Sequence, residues 1–182
     1  VAGGAAGAES PLRTAAVLVP VFRDAEGALR LVLVVRADHG LHGGQLGLPG
    51  GKPEPGDGSL LDTALREAAE ETGLDPATAE VVAALDPLDT HVSGYRVHPF
   101  LARIPASTRW RLQAGEIDGI LTPPVTTLAD PSSRQRLPFT SASYPEPLVV
   151  DGIDVEGHVL WGMTLRLLEG LLPRLLAGEW EV

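Results

Sequence analysis

Apolar residues fall along this chain in two rhythms, and the change between them places the elements. Residues 15–22 and 31–36 are dense in valine and leucine, the composition of strands with a buried face. The polar turn Asp24-Ala25-Glu26-Gly27 between them predicts a hairpin. From residue 40 to 58 the rhythm is lost, because glycines recur and Pro49, Pro53 and Pro55 interrupt any regular element. A loop that long in a compact domain usually serves function. Residues 59–73 then carry Leu61, Ala64, Leu65, Ala68 and Thr72 at the spacing of one helical stripe. Ser59 with Asp62 marks the start of that helix and Gly73 its stop.

Further strands are predicted over residues 81–85, 96–104, 117–121 and 155–161, with a closing helix over 165–176. Pro123-Pro124 and residues 130–136 read as internal loops. This order predicts an α/β fold in which helices flank a mixed β-sheet. With no repeat and no second composition regime, one domain is expected over residues 12–178. Residues 1–11, small and featureless, read as a flexible tail, and 179–182 as a C-terminal tail.

A length of 182 residues with 44% hydrophobic content is enough for one domain to bury a core between layers. The absence of cysteine excludes disulfides, thiolate zinc sites and a cysteine nucleophile. No apolar run approaches the ~20 residues of a membrane helix, and the opening residues lack a signal-peptide pattern, so a soluble cytoplasmic protein is expected. A net charge of -10 argues against binding nucleic acid through its phosphates, which needs clustered lysine and arginine. Small anionic ligands remain open if a metal supplies positive charge. Lys52 is the only lysine.

The densest chemistry lies in Arg66-Glu67-Ala68-Ala69-Glu70-Glu71-Thr72-Gly73-Leu74. At 100° per residue Glu67, Glu70 and Glu71 fall on one helix face, expected to be exposed and turned away from the apolar stripe. Like charges this close repel one another unless a cation sits between them. Mg²⁺ or Mn²⁺, hard ions that prefer carboxylate and phosphate oxygens, would serve, with Glu67 and Glu71 as leading ligands. The same run also reads as a solvated helix face.

Directly upstream stand Leu48-Pro49-Gly50-Gly51-Lys52 and then Asp57, and with the R-E-x-x-E-E-x-G of residues 66–73 they resemble the Nudix box. The resemblance implies a Nudix-type α/β/α sandwich, a divalent metal and hydrolysis of a diphosphate in a small nucleotide. It implies that Glu67, Glu70, Glu71 and the carbonyl region of Gly51 surround the metal. Gly50 and Gly51 let the loop bend beside it and, with Lys52, are placed on the substrate. Glu70 is counted with the catalytic set as well. Arg66, also counted there, forms an ion pair that fixes the loop on the helix. The chain departs from the common box in having Asp57 for Glu and eight residues rather than seven before Arg66, so a bulged loop is expected.

Beyond the box, Arg36-Ala37, Gly44, Thr63-Ala64-Leu65-Arg66, Gly94-Tyr95-Arg96-Val97-His98-Pro99, Gly115-Glu116-Ile117 and Leu160-Trp161-Gly162-Met163-Thr164 are similar to the coenzyme A pyrophosphatase branch. That resemblance implies cleavage of coenzyme A to 3',5'-ADP and 4'-phosphopantetheine. It places Arg36 on the substrate and Glu116 as general base or extra ligand. The branch's loop arginine is replaced by Gly40-Leu41 and its phenylalanine by Leu48, leaving His39, His42 or Lys52 as substitutes. Tyr95 and His91 read as packing residues. ADP-ribose, NADH and oxidised nucleotides are rival substrates, and a non-catalytic nucleotide sensor or an interaction module are rival classes. A homodimer is a family expectation.

Overall fold

The computed structural model describes residues 11–38, 43–90, 94–106 and 108–182. Its central strand, β1 (Arg13–Arg23), is covered on both faces, so it alternates between two apolar layers rather than between oil and water. Val17, Val19 and Val21 pack with Leu165, Leu168 and Leu171 of the closing helix, while Ala16 and Leu18 pack with Ala64 and Ala68 of the glutamate helix. A strand between two helical layers is an α/β/α sandwich.

The predicted hairpin forms, because Asp24 Oδ1 accepts the Ala28 N–H at 2.8 Å and Gly27 takes φ +81°. Its return strand is two strands. β2 (Leu29–Leu31) pairs with β1, whereas β3 (Leu33–Arg36) belongs to another sheet, with β4 (Leu46–Gly47) on one side. Val32 carries the chain between them, fully buried, its N–H still donated to the Pro20 carbonyl at 2.9 Å. β5 (Gly50–Gly51) lies antiparallel on β1. After it comes α1 (Leu60–Thr72), capped by Ser59 accepting from the Asp62 N–H and ended by Gly73 in the left-handed region, as the sequence predicts.

β6 (Glu80–Ala84), β7 (Leu88–Thr90) and β8 (Tyr95–Arg103) complete the main sheet. β8 runs parallel to β1 with Arg13 opposite Tyr95, and β6 and β7 pair antiparallel with β8, so the sheet is mixed. β9 (Ile117–Leu121) pairs with β3 over the predicted residues.

Two expectations are corrected beyond it. Pro124 precedes a short helix, α2 (Val125–Ala129), and the segment expected as loop enters a 3-10 turn at Pro131–Ser133 and then β10 (Arg134–Ser141). The single strand expected over 155–161 is the end of β11 (Tyr144–Val155) and β12 (His158–Trp161), joined by Glu156 and Gly157 at φ 53° and 85°, a tight hairpin turn. α3 (Gly162–Leu176) closes the domain. The expected C-terminal tail packs back onto it: Val182 is buried and accepts from Arg23 Nε at 2.8 Å. Residues 1–10 of the expected N-terminal tail lie outside the described residues. Among the described residues no helix is long and apolar enough to cross a membrane.

Candidate active site

The site is built where β5 is pressed between β1 and α1. A Cβ on residue 50 would stand 2.4 Å from the Ala16 carbonyl oxygen, and one on residue 51 would stand 2.3 Å from Glu67 Oε1. Only glycine admits that approach from both sides. The Gly50 N–H donates to Glu71 Oε2 at 3.0 Å, tying the loop to the last turn of α1. Gly50 was expected on the substrate, but this donor is engaged with Glu71.

Glu71 is the group around which the rest is arranged. Its side chain is 3% exposed, and Arg36 Nη1 from β3 lies 3.5 Å from Oε1. Burial pushes its pKa up to about 7, because the charged form loses water. The Arg36 charge and the Gly50 N–H pull it down, while Glu67 and Glu116 push it further up. Glu67, one turn earlier, is also raised by burial, against the pull of Arg66. The expectation of a uniformly exposed acidic face is therefore corrected. Glu71 falls on the Ala64-Ala68 stripe seven residues on, a position that points inward, and only Glu70 is well exposed. Leu61 and Leu65, expected in the buried stripe, are only partly covered.

Arg66 clamps the loop to the helix. Its Nε lies 2.9 Å from Asp57 Oδ1, and Nη2 lies 3.1 Å from Oδ2 and 3.0 Å from the Lys52 carbonyl. Nη1 reaches Glu70 at 3.1 Å and Glu67 at 3.2 Å. Arg66 holds the Asp57 carboxyl well below the usual carboxylate range, with the Glu54 N–H and the Thr63 hydroxyl adding to it. The loop before the helix closes in a turn, where the Asp57 N–H donates to the Glu54 carbonyl at 2.9 Å.

The remaining expected residues fall at different distances from this centre. Glu116 is exposed in the turn before β9; its carbonyl accepts the Ala37 N–H at 2.8 Å, and its charge is felt by Glu71. Lys52 points its ammonium toward Tyr95, with Nζ 5.9 Å from the ring centroid, while the Arg13 guanidinium covers that ring at 4.1 Å. Tyr95, expected as packing, and Arg13, which sequence reasoning missed, thus adjoin the loop. No local pattern could have joined them; the parallel register of β1 on β8 does so. His39, His42, Gly40, Leu41 and His91 lie outside the described residues.

Among the described residues no three His, Cys, Asp or Glu side chains are grouped to hold a metal, since Arg66 stands between Glu67 and Glu70. The donor chemistry nevertheless fits a hard divalent cation. Two carboxylates one turn apart, both destabilised as anions by burial, lie against a backbone kept bare by Gly51.

A family model described as the NUDIX domain matches residues 12–138. The uncharacterized Nudix hydrolase NudL of Salmonella newport is 33% identical over 160 residues, covering 87% of this chain and 81% of the relative. Among solved structures, the chain resembles a MutT/nudix family protein of Enterococcus faecalis at TM-score 0.60 and 17% identity, over 93% of this chain and 64% of that one. It also resembles the NUDIX domain of Shewanella oneidensis NrtR complexed with ADP ribose, at TM-score 0.59 and 20% identity, over 92% and 90%. At such identities the two structures speak for the fold alone.

Proposed function

The chain belongs to the Nudix hydrolase family, and from that premise we propose that Glu67 and Glu71, with the Gly51 carbonyl and Glu70, hold the divalent metal with which it cuts a nucleotide diphosphate. The observation that carries this reading is the burial of Glu71, a carboxylate kept 3% exposed with Arg36 beside it and Gly50 bonded to it. An acid enclosed at such cost, where the charged form is disfavoured, is the mark of a site with a chemical task.

Mg²⁺ or Mn²⁺ bound there would supply charge neutralisation at the diphosphate and a more acidic attacking water. The chain's own residues do the positioning. Arg66, locked to Asp57 and to the Lys52 carbonyl, keeps the loop at a fixed height over α1. Gly50 and Gly51 let the loop lie between β1 and the Glu67 carboxylate with no side chain in the way. Arg36 is the cation nearest the buried acid, suited to meet a phosphate oxygen while restraining Glu71. Glu116, exposed at the rim and electrostatically coupled to Glu71, is the group proposed to accept the proton of the attacking water.

Within the class of nucleotide pyrophosphatases, coenzyme A is supported by the segments around Arg36, Gly94 and Trp161, and ADP-ribose is its nearest rival. The deciding experiment incubates the protein with Mg²⁺ or Mn²⁺ and coenzyme A, ADP-ribose, NADH and diadenosine polyphosphates, with products identified by mass spectrometry and Glu71→Gln as control. Metal-dependent hydrolysis is expected, giving two phosphomonoesters from a compound with a single diphosphate linkage. Release of 4'-phosphopantetheine selects coenzyme A, and cleavage of another member alone discards it. Nucleotide binding without any cleavage would replace the enzyme reading by a sensor.

A further inference from the structure

Phe139 on β10, Tyr144 on β11 and Trp161 on β12 form a cluster whose ring centroids lie 5.1 Å (Phe139 to Trp161), 6.1 Å (Phe139 to Tyr144) and 6.4 Å (Tyr144 to Trp161) apart. Phe139 is buried yet belongs to neither of the two apolar cores. Two polar atoms here are buried without a hydrogen-bond partner, Nε1 of the Trp161 ring itself and Oγ of Ser141, which pairs with Tyr144 in register and is only 9% exposed. Buried donors in native proteins are nearly always satisfied, so two unmet groups on one small sheet call for a missing partner.

The cluster adjoins the residues that face the diphosphate. Asp38 Oδ1 accepts the Ala142 N–H at 2.7 Å, and a Cβ on Gly44 would stand 3.4 Å from Ser141 Cβ. Asp38 follows Arg36 by two residues, and Arg36 faces Glu71. β12 also packs against β4, the strand that runs into the Gly50-Gly51 loop. These contacts link the neighbourhood of the buried acid to the strands that carry the rings.

We propose that this cluster is the nucleobase subsite of the enzyme, with Tyr144 and Trp161 as the stacking face and Trp161 Nε1–H and the Ser141 hydroxyl, both covered until the rings part for the base, as the groups that read its edge. Tyr144 and Trp161 are only partly buried, so they offer the reachable face, whereas Phe139 backs them. A purine ring suits the arrangement: its faces stack on aromatic side chains, and its ring nitrogens accept from an indole N–H or a hydroxyl. The inference rests on the nucleotide-pyrophosphatase reading above.

The test titrates the protein calorimetrically with adenosine 5'-monophosphate and with ribose 5-phosphate, for the wild type, Trp161→Phe and Ser141→Ala. Steady-state hydrolysis of whichever diphosphate the panel selects is measured alongside. The wild type is expected to bind the base-bearing compound more tightly. Each variant is expected to lose roughly tenfold in that affinity, the scale of one hydrogen bond, with unchanged affinity for ribose 5-phosphate. KM should rise while kcat stays within about twofold, as for an interaction made equally in ground and transition states. If thermal melting shows Trp161→Phe to be misfolded, Ser141→Ala, which removes a single oxygen, decides. Variants that bind adenosine 5'-monophosphate like the wild type overturn the subsite while leaving the hydrolase reading intact. A wild type that cleaves no diphosphate overturns both.

Discussion

The Cβ that Gly51 lacks would lie 2.3 Å from Oε1 of Glu67, so the loop and the helix meet with no room for a methyl group. Gly51→Ala must push the Glu67 carboxylate aside or lift the loop off α1. Disturbing the groups that merely support metal ligands costs about 10–100-fold in affinity or activity, and displacing a ligand itself should cost no less. We expect the Mg²⁺ concentration for half-maximal hydrolysis to rise on that scale; an unchanged metal requirement would remove Glu67 from the ligand set.

Glu71→Gln keeps the size of the side chain and one acceptor for the Gly50 N–H but removes the buried negative charge. Hydrolysis is expected to fall at least about a hundredfold at saturating metal. Because the wild-type carboxylate is disfavoured by burial, the melting temperature of the Gln variant in chelator should not drop. Full activity would show that Glu71 is packing and not chemistry.

Metal should stabilise the fold, since it binds the arranged carboxylates and not the unfolded chain. At a hundredfold excess over Kd the gain is about 2.7 kcal/mol, which for a chain of this size corresponds to a rise of roughly 5–10 °C in Tm. Differential scanning fluorimetry with Mn²⁺ should show that rise in the wild type and none in a Glu67→Gln/Glu71→Gln double variant. An equal rise in both would place the metal elsewhere.

Asp57 gives the fold an acid-sensitive latch. Its folded pKa lies below the unfolded value, so the stability it contributes is fully present above the unfolded pKa of roughly 4 and is lost progressively as pH falls below it. Asp57→Asn should therefore lower Tm at pH 7 and flatten the decline of Tm between about pH 4 and pH 2. Parallel acid melting curves for the two proteins would show that the Arg66 pair contributes nothing to stability.

Much of this was legible in the residues. The caps of α1, the strand over 117–121 and the turn at Asp24 follow from local chemistry, and the structure places them as read. β10 and β11 were not legible, because Pro138, Pro145 and Pro147 interrupt them and their outer positions are largely exposed. The burial of Glu71 was encoded in its spacing from Ala64 and Ala68, but its charge argues for solvent, and only tertiary packing decides between them. Arg13 and Tyr95, or Ser141 and Gly44, are neighbours solely through strand pairing or loop packing far apart in sequence.

Val32, wholly enclosed and still bonded to Pro20, is the joint at which the chain leaves one sheet for the other. A joint packed this tightly has no slack for bending, since close-packed interiors switch between discrete arrangements and do not flex continuously. Arg36 stands four residues beyond it, so the cleft cannot open as a hinge between the two sheets on this strand. Any opening of the site therefore falls to the connecting loops, and substitutions there should change it where substitutions within the sheets do not.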